Sequence, residues 1–273
     1  MPAGGTGLVL RGLRKEPATI GKWHLGWDLT YKEGKAKTVD NIDFTKRVAN
    51  GPTDRGFDYF YGLTSPSGPP HLYMVNDMAE KQPNTRFEES GGGLYKIKGG
   101  IGHSDWSSDG MQPHLADKML EYLDENKDSD KPFFLYMALT APHIPLFPSK
   151  EFKGKSKIGD YGDLVMMIDD IVGRVNRKLK EIGKYDNTIV MFAADNGCAG
   201  YINMDRINRK GHYPSYIYRG YKSHGWEGGH RIPFILSWGD RYGHVTDNSL
   251  VSLTDLYATF ADMLGYRIAD DEA

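Results

Sequence analysis

The fold class is decided by residues 161–194, which read YGDLVMMIDDIVGRVNRKLKEIGKYDNTIVMFAA. Apolar residues recur at helical spacing from Leu164 onward and stop at Gly183, so the pattern predicts a helix over residues 161–182. The apolar run at 188–194 is short and continuous, which predicts a buried strand. A helix followed directly by a buried strand is typical of an α/β protein.

The same alternation continues on both sides of this segment. Apolar residues at helical spacing between 115 and 123 precede a run at 133–139, which is bounded by prolines and predicts a strand covered on both faces. Residues 232–238 predict a third strand, and Thr254 is expected to cap a final amphipathic helix. The order of elements predicts a mainly parallel β-sheet sandwiched by helices.

Long polar loops are expected at about residues 27–56, 62–112 and 198–231. In open α/β sheets, ligands bind beyond the carboxyl ends of the strands. The residues that directly follow each predicted strand are therefore the candidates for a functional site.

Composition excludes several classes of partner. The 273 residues carry 34 Lys and Arg against 36 Asp and Glu, a formal net charge of −2, which gives no electrostatic case for nucleic acid or an anionic membrane. Mean hydropathy is −0.54, and no run approaches the length of a membrane-spanning helix. The single cysteine, Cys198, excludes an intramolecular disulfide. The first residues show no signal peptide or membrane anchor.

Two oxygen-bearing side chains follow the strand at 188–194. Asp195 and Asn196 supply a carboxylate and an amide carbonyl, and Gly197 permits the turn that lets both face one point. One interpretation is a Ca²⁺ or Mg²⁺ site. The alternative is an Asx turn that leaves the strand, because Asp-Asn-Gly is a common turn sequence.

Three further segments bring imidazole and ammonium groups to strand ends. His143 lies between two prolines after the strand at 133–139, and Lys22 and His24 would share one side of an extended chain. Lys222 precedes a glycine-rich turn that leads into the strand at 232–238. Each alone has a structural alternative, namely a satisfied or surface histidine or a solvated lysine. Their joint occurrence favours an anion pocket.

Six ordered motifs resemble those of the sulfatases, within the alkaline phosphatase superfamily, and are most similar to arylsulfatases. They are GKWHLG at 21–26, GFDYFYG at 56–62, PFFLYMALTAPHIP at 132–145, ADNG at 194–197, WEGGHRIPF at 226–234 and SLTDLYATFADMLG at 252–265. The resemblance implies the alkaline phosphatase type of fold and a sulfuric ester hydrolase that acts on a sulfate ester of a small molecule or a sulfated glycan.

The same resemblance implies roles for particular residues. Asp195 and Asn196 resemble two of the family's calcium ligands. Lys22 and His24 resemble the lysine that bridges nucleophile and sulfate and the histidine that assists breakdown of the sulfated intermediate. His143 and Lys222 resemble the pair that grips the sulfate and protonates the departing alcohol. These roles agree with the chemistry, because fixed cations must neutralise the sulfate oxygens as the S–O bond breaks.

The chain departs from the family pattern in one respect. The family's nucleophile is a formylglycine made from Cys or Ser in a C/S-x-P-x-R motif upstream of GKWHLG, where an Asp pair also serves the calcium. Neither stands before Lys22 here. We therefore expect residues 1–273 to form a partial sulfatase catalytic domain, incomplete at both ends, with its first strand and C-terminal subdomain missing.

Two expectations follow from this departure: weak or absent metal binding, and no turnover of a sulfate ester by this chain alone. The resemblance separately implies export of the intact parent protein, because most family members are exported to the periplasm, the lysosome or the medium. Two alternatives stay open. One is a non-catalytic relative that binds anions or sulfated glycans, and the other is a phosphoester or phosphonate hydrolase of the same superfamily.

Overall fold

A computed structural model describes residues 16–268 of the chain. Within them lie nine strands: β1 Glu16–Lys22, β2 Tyr59–Leu63, β3 Met74–Val75, β4 Met78–Ala79, β5 Thr85–Phe87, β6 Gly100–Gly102, β7 Phe133–Ala138, β8 Ile189–Ala193 and β9 Phe234–Trp238. The same residues include five α-helices: α1 Met111–Glu125, α2 Asp160–Glu181, α3 Met204–Arg209, α4 Glu227–His230 and α5 Asp255–Met263. These elements confirm the α/β class.

A five-stranded mixed sheet forms the centre of the molecule, in the order β4-β3-β2-β1-β7. Strand β1 pairs in parallel with β2 on one side and with β7 on the other, in a register that places Thr19 opposite both Phe60 and Tyr136. Strands β3 and β4 extend the sheet by antiparallel pairing. The carboxyl ends of β1, β2 and β7 therefore meet at one edge.

Strands β8 and β9 differ from the sequence-based expectation of one mainly parallel sheet. They pair with each other, antiparallel, from Ile189 opposite Trp238 to Ala193 opposite Phe234. In the described part of the chain, neither strand joins the five-stranded sheet, and β7 is the last strand on its side. Among the strands of residues 16–268, only β2, β1 and β7 pair in parallel.

One face of the sheet carries the main hydrophobic core. Helices α1 and α2 pack against each other, and α1 packs on β1 and β2. Leu115, Met119, Ile171 and Leu179 are nearly inaccessible in this core. The predicted apolar stripe of α2 is the buried face of the helix, and the helix ends before Gly183, whose φ is +70°.

The opposite face is covered by the segment between β1 and β2. Trp23, Phe44, Phe57 and Phe60 form a second core there, in which the Trp23 and Phe57 rings meet edge to face at 6.2 Å. This packing fixes the chain just beyond Lys22, because Trp23 points inward at the end of β1.

Three local predictions are wrong. Strand β7 is only half-buried, with Tyr136 47% exposed, because no strand of the described chain lies along its outer edge. Thr254 makes no side-chain cap on α5; the Asp255 carboxylate accepts from the Ser252 backbone instead. The loop expected at 62–112 contains four short strands. Such strands are held by cross-strand pairing and leave little pattern in the sequence.

Over residues 16–268, no helix combines the length and the apolar character that crossing a bilayer requires.

Candidate anion-binding active site

The carboxyl end of β1 places the first two candidate cations. Lys22 is the last residue of the strand, and the Trp23 amide continues the pairing by donating to the Leu63 carbonyl at 2.9 Å. Trp23 is buried, whereas Lys22 is half-buried and His24 is exposed. The extended chain thus turns Lys22 and His24 to the side opposite the Trp23 ring.

The turn after β7 places His143. Its backbone amide donates to the Thr140 carbonyl at 3.0 Å, and its Nδ1 lies 2.6 Å from the Ile144 carbonyl oxygen. A carbonyl can only accept, so Nδ1 carries the proton and Nε2 is the nitrogen left to meet a ligand. Thr140 is itself buried and hydrogen-bonded to the Gln112 side chain of α1, which ties this turn to the core.

Two turns meet where Asp195 and Lys222 come together. The Gly197 amide donates to the Gly229 carbonyl at 2.9 Å, and the Lys222 amide donates to the Cys198 carbonyl at 2.8 Å. A side chain on Gly197 would collide with the Gly228 backbone, so Gly197 must be glycine for the two turns to touch. A side chain on Gly228 would collide with the Gly220 backbone. The glycine-rich sequence before β9 therefore brings Lys222 to the end of β8.

Electrostatics show that these groups share one region. The pKa of Lys22 is lowered by burial and then by Lys222, and is raised in part by Asp195. The pKa of His143 is lowered by burial and, more weakly, by Lys22 and Lys222, although its bond to Ile144 opposes this. Two ammonium groups and an imidazole within range of one another repel, and a bound anion would relieve that repulsion.

His24 belongs to the same group. Burial, Lys22 and Lys222, in that order, lower its pKa. The structure thus brings together Lys22, His24, His143, Asp195 and Lys222, with Asn196 next to Asp195 in the turn.

We predict that inorganic sulfate binds more tightly as the pH falls. In the free protein the pKa values of His24 and His143 lie below the ordinary 6.5, so both rings are mainly neutral at neutral pH. A bound dianion favours the charged imidazolium, so the complex takes up protons and affinity must rise with acidity. Between about pH 7.5 and about 5.5 we expect an increase of about tenfold, measured by titration calorimetry.

A His143→Asn variant is the control for this pH dependence, because it removes one titrating ring and should flatten the profile. Titrations in two buffers with different ionisation enthalpies would show the proton uptake directly. A sulfate affinity that stays constant, or that rises with pH, would contradict the prediction.

The described residues do not make up a complete calcium site. Asp195 is exposed and Asn196 is half-buried, and together they offer one carboxylate and one amide oxygen. Among residues 16–268, no three His, Cys, Asp or Glu side chains gather as a metal-binding group. Calcium takes roughly six to eight oxygen ligands, so these residues form at most part of such a site.

Cys198 lies beside the site without the properties of a nucleophile. Burial raises the pKa of its thiol, and the Tyr161 hydroxyl lies 3.5 Å from Sγ. The reactive form of cysteine is the thiolate, which a raised pKa disfavours. The surrounding sequence, Asn196 to Gly200, also lacks the Pro and Arg of the family's nucleophile motif.

Sequence reasoning missed two tyrosines at the site. Tyr201 lies in a 3-10 turn, Gly200–Ile202, and its ring contacts the His143 ring edge to face at 6.4 Å. The pKa of the Tyr136 hydroxyl on β7 is raised, first by burial and second by the negative charge of Asp195. An aromatic residue a few positions beyond a strand end was the only available signal for Tyr201.

A separate cavity of about 460 Å³ lies away from these residues. It is lined by Ser90, Ile97, Phe147 and Lys150, among others, and by none of the candidate site residues. That cavity is therefore not part of the candidate site.

Comparison with known proteins identifies the family. The family model described as Sulfatase matches residues 9–266. An N-acetylgalactosamine-6-O-sulfatase of Bacteroides thetaiotaomicron is 29% identical over 289 residues, which cover 93% of this chain and 55% of that protein. An arylsulfatase of Hemicentrotus pulcherrimus is 30% identical over 252 residues, which cover 92% of this chain and 41% of that protein.

A solved structure agrees with these sequence matches. It comes from work on glycosaminoglycan metabolism by Bacteroides thetaiotaomicron and superimposes with a TM-score of 0.81 at 26% identity, over 98% of this chain and 61% of that one. Fold and site together define an α/β protein with a cationic pocket at its strand ends. The chain belongs to the sulfatase family, as the six motifs predicted. It spans about half the length of the curated relatives that it matches.

Proposed function

We propose that this chain is the anion-binding part of a sulfuric ester hydrolase and that its pocket binds the sulfate group of a sulfated glycan. The observation that carries the proposal is the convergence of Lys22, His143, Asp195 and Lys222 from four separate segments of the sequence. Membership of the sulfatase family and the similarity to an N-acetylgalactosamine-6-O-sulfatase support sulfate esters over other anions.

The roles that we propose for the residues follow from their chemistry. Lys22 and Lys222 would neutralise the sulfate oxygens as the ester bond breaks, because fixed cations stabilise charge that develops in the transition state. Once protonated at Nε2, His143 would donate a hydrogen bond from Nε2 to the ester oxygen and give that proton to the leaving alcohol. His24 would add a second titrating group beside Lys22.

Asp195 and Asn196 would supply two of the ligands of a Ca²⁺ ion. Mg²⁺ would need oxygen ligands of the same kind. Because the described residues fall short of a full site, no step is assigned to the metal. We likewise propose that residues 1–273 bind a sulfate ester without hydrolysing it, since the C/S-x-P-x-R source of formylglycine is absent from this sequence.

One experiment tests both halves of this proposal. The 273-residue protein is titrated with inorganic sulfate and with inorganic phosphate, and is then incubated with an aryl sulfate and with 6-sulfated N-acetylgalactosamine. We expect sulfate binding and no release of product. Failure to bind sulfate would refute the pocket, and release of alcohol and sulfate by this chain would refute the claim of inactivity.

The phosphate titration separates the proposed function from its alternatives. A phosphoester or phosphonate hydrolase of the same superfamily would prefer phosphate to sulfate by about tenfold or more.

The missing nucleophile motif favours the other alternative, a relative that only binds its ligand. Such a binding-only relative would bind an intact sulfated sugar as tightly as free sulfate. Extending the chain with upstream coding sequence would not create hydrolase activity.

A further inference from the structure

The loop between β8 and β9 has a composition unlike the rest of the chain. Residues 198–231 contain six Lys or Arg against two Asp or Glu, whereas the whole chain carries a net charge of −2. They also contain five tyrosines and a tryptophan. Aromatic and cationic side chains are thus concentrated on one loop, which also carries Lys222.

Several of these aromatic rings are open to solvent. Tyr201, Tyr221 and Trp226 are 45%, 39% and 51% exposed. Exposed large apolar side chains are unremarkable singly, but a connected group of them marks a binding surface.

The group of aromatic rings starts next to the anion pocket. The Tyr201 ring contacts the His143 ring edge to face, with 6.4 Å between the ring centroids. The Tyr221 ring lies directly over Gly200, the residue before Tyr201. Tyr201 therefore lies beside His143 in space, and Tyr221 packs on the adjoining Gly200 and precedes Lys222 in sequence.

The group continues away from the pocket. The Tyr221 ring lies 4.2 Å from the His224 ring, between centroids. The Cβ atoms of His224 and Trp226 both pack on Gly220, and the Arg219 guanidinium lies 4.0 Å from the centre of the Trp226 ring. We call this row the aromatic strip; its members are Tyr201, Tyr221, His224, Trp226 and Arg219.

The strip is held by backbone hydrogen bonds. The Gly228 amide donates to the Arg219 carbonyl at 2.9 Å, and the His224 amide donates to the Tyr221 carbonyl at 2.9 Å. Together with the bond from Lys222 to Cys198, these contacts order the rings before any ligand arrives. A preordered surface loses less conformational entropy on binding.

We propose that the aromatic strip binds the sugar units next to the sulfated one in an anionic glycan, so that the protein recognises a chain and not an isolated sulfated monosaccharide. This inference rests on the proposed function, because it places the sulfate in the pocket. The apolar C–H face of a pyranose ring packs well on an exposed aromatic ring. Carboxylate or sulfate groups further along the glycan would pair with the Arg219 guanidinium.

A polyanionic glycan fits this surface better than a nucleic acid does. Tyr201 contacts His143 of the sulfate pocket, and residues 198–231 carry six Lys or Arg against two Asp or Glu. Nucleic-acid binding normally draws on a broad basic surface, which a chain of net charge −2 does not supply.

The test uses the 273-residue protein and three ligands: inorganic sulfate, 6-sulfated N-acetylgalactosamine, and a chondroitin 6-sulfate hexasaccharide. We expect the hexasaccharide to bind about tenfold more tightly than the monosaccharide. Trp226→Ala and Arg219→Gln should each remove most of that gain while inorganic sulfate affinity stays the same. Tyr213→Ala is the matched control, since Tyr213 is 59% exposed on the same loop but outside the strip.

Each outcome decides between the strip and the pocket. If sulfate binds but the hexasaccharide gains nothing over the monosaccharide, the strip is refuted and the proposed function survives. If Trp226→Ala weakens sulfate and hexasaccharide by the same factor, Trp226 only positions Lys222, and the strip is again refuted. If the hexasaccharide binds more tightly than the monosaccharide, if Trp226 is needed for that difference, and if inorganic sulfate does not bind, then the pocket is refuted and the strip is not. Equally tight, Trp226-dependent binding of a single-stranded DNA 12-mer would refute the assignment to glycans.

Discussion

A Gly21→Ala variant is expected to lose about 4 kcal/mol of folding free energy, close to the whole stability of a marginal domain. Gly21 lies in β1 between β2 and β7, with φ at +131°, outside the range that L side chains readily adopt. A Cβ atom there would lie 2.5 Å from the Ala138 carbonyl carbon and closer still to its oxygen. The methyl group must therefore push β7 away from β1 while the backbone is also strained.

The damage reaches the site as well as the core. Gly21 immediately precedes Lys22, and Ala138 is the last residue of the strand that leads to His143. Any widening between β1 and β7 separates these two groups. We expect sulfate binding to disappear even under conditions in which part of the variant population is still folded.

Gly26→Ala is the matched control, because Gly26 also has a positive φ, +92°, but nothing lies within 4 Å of the place a Cβ would take. It should cost about 1–2 kcal/mol from backbone strain alone. Urea denaturation followed by tryptophan fluorescence compares the two variants. Equal urea midpoints for Gly21→Ala and Gly26→Ala would show that the steric clash at β7 contributes nothing.

The sequence predicted those elements whose residues carry a long pattern of their own. Helix α2 has a regular apolar stripe from Leu164 to Leu179, and its observed bounds differ from the prediction by one residue at each end. Strand β1, in contrast, reads EPATIGK, in which Pro17 and Gly21 break any strand signal. It is a strand because β2 and β7 pair with it on both sides, and such pairing is invisible in a local pattern.

Some residues of the candidate site could likewise be predicted from the sequence, and others could not. Its charged residues could be singled out because they lie near predicted strand ends or, for Lys222, before the glycine-rich turn that leads into a strand. The structure places Lys22, His143 and Lys222 in one region. Tyr201 was not predictable. Its position depends on how the loop from 198 to 231 folds back over the end of β8, and contacts between glycine backbones set that geometry.

Lys222→Ala should lose roughly 10- to 100-fold in sulfate affinity. A hydrogen bond between an ammonium and an anion is worth more than one between neutral groups, and Lys222 is half-buried, so water replaces it poorly. Lys22→Ala should lose a similar factor. The exposed Lys35 offers a control, because Lys35→Ala changes the net charge equally at a distance from the pocket and should leave sulfate affinity nearly unchanged.

The same variant should not lose stability, and this separates a binding role from a structural one. Lys222 lowers the pKa of Lys22 in the free protein, which means that the two ammonium groups repel. Removing Lys222 relieves that repulsion, so Lys22 recovers a higher pKa and the free protein should unfold at the same or a higher urea concentration. Residues selected to bind a ligand can destabilise the empty site in this way. A Lys222→Ala protein that binds sulfate normally, or that loses binding only because it unfolds, would contradict the role of Lys222 as an anion ligand.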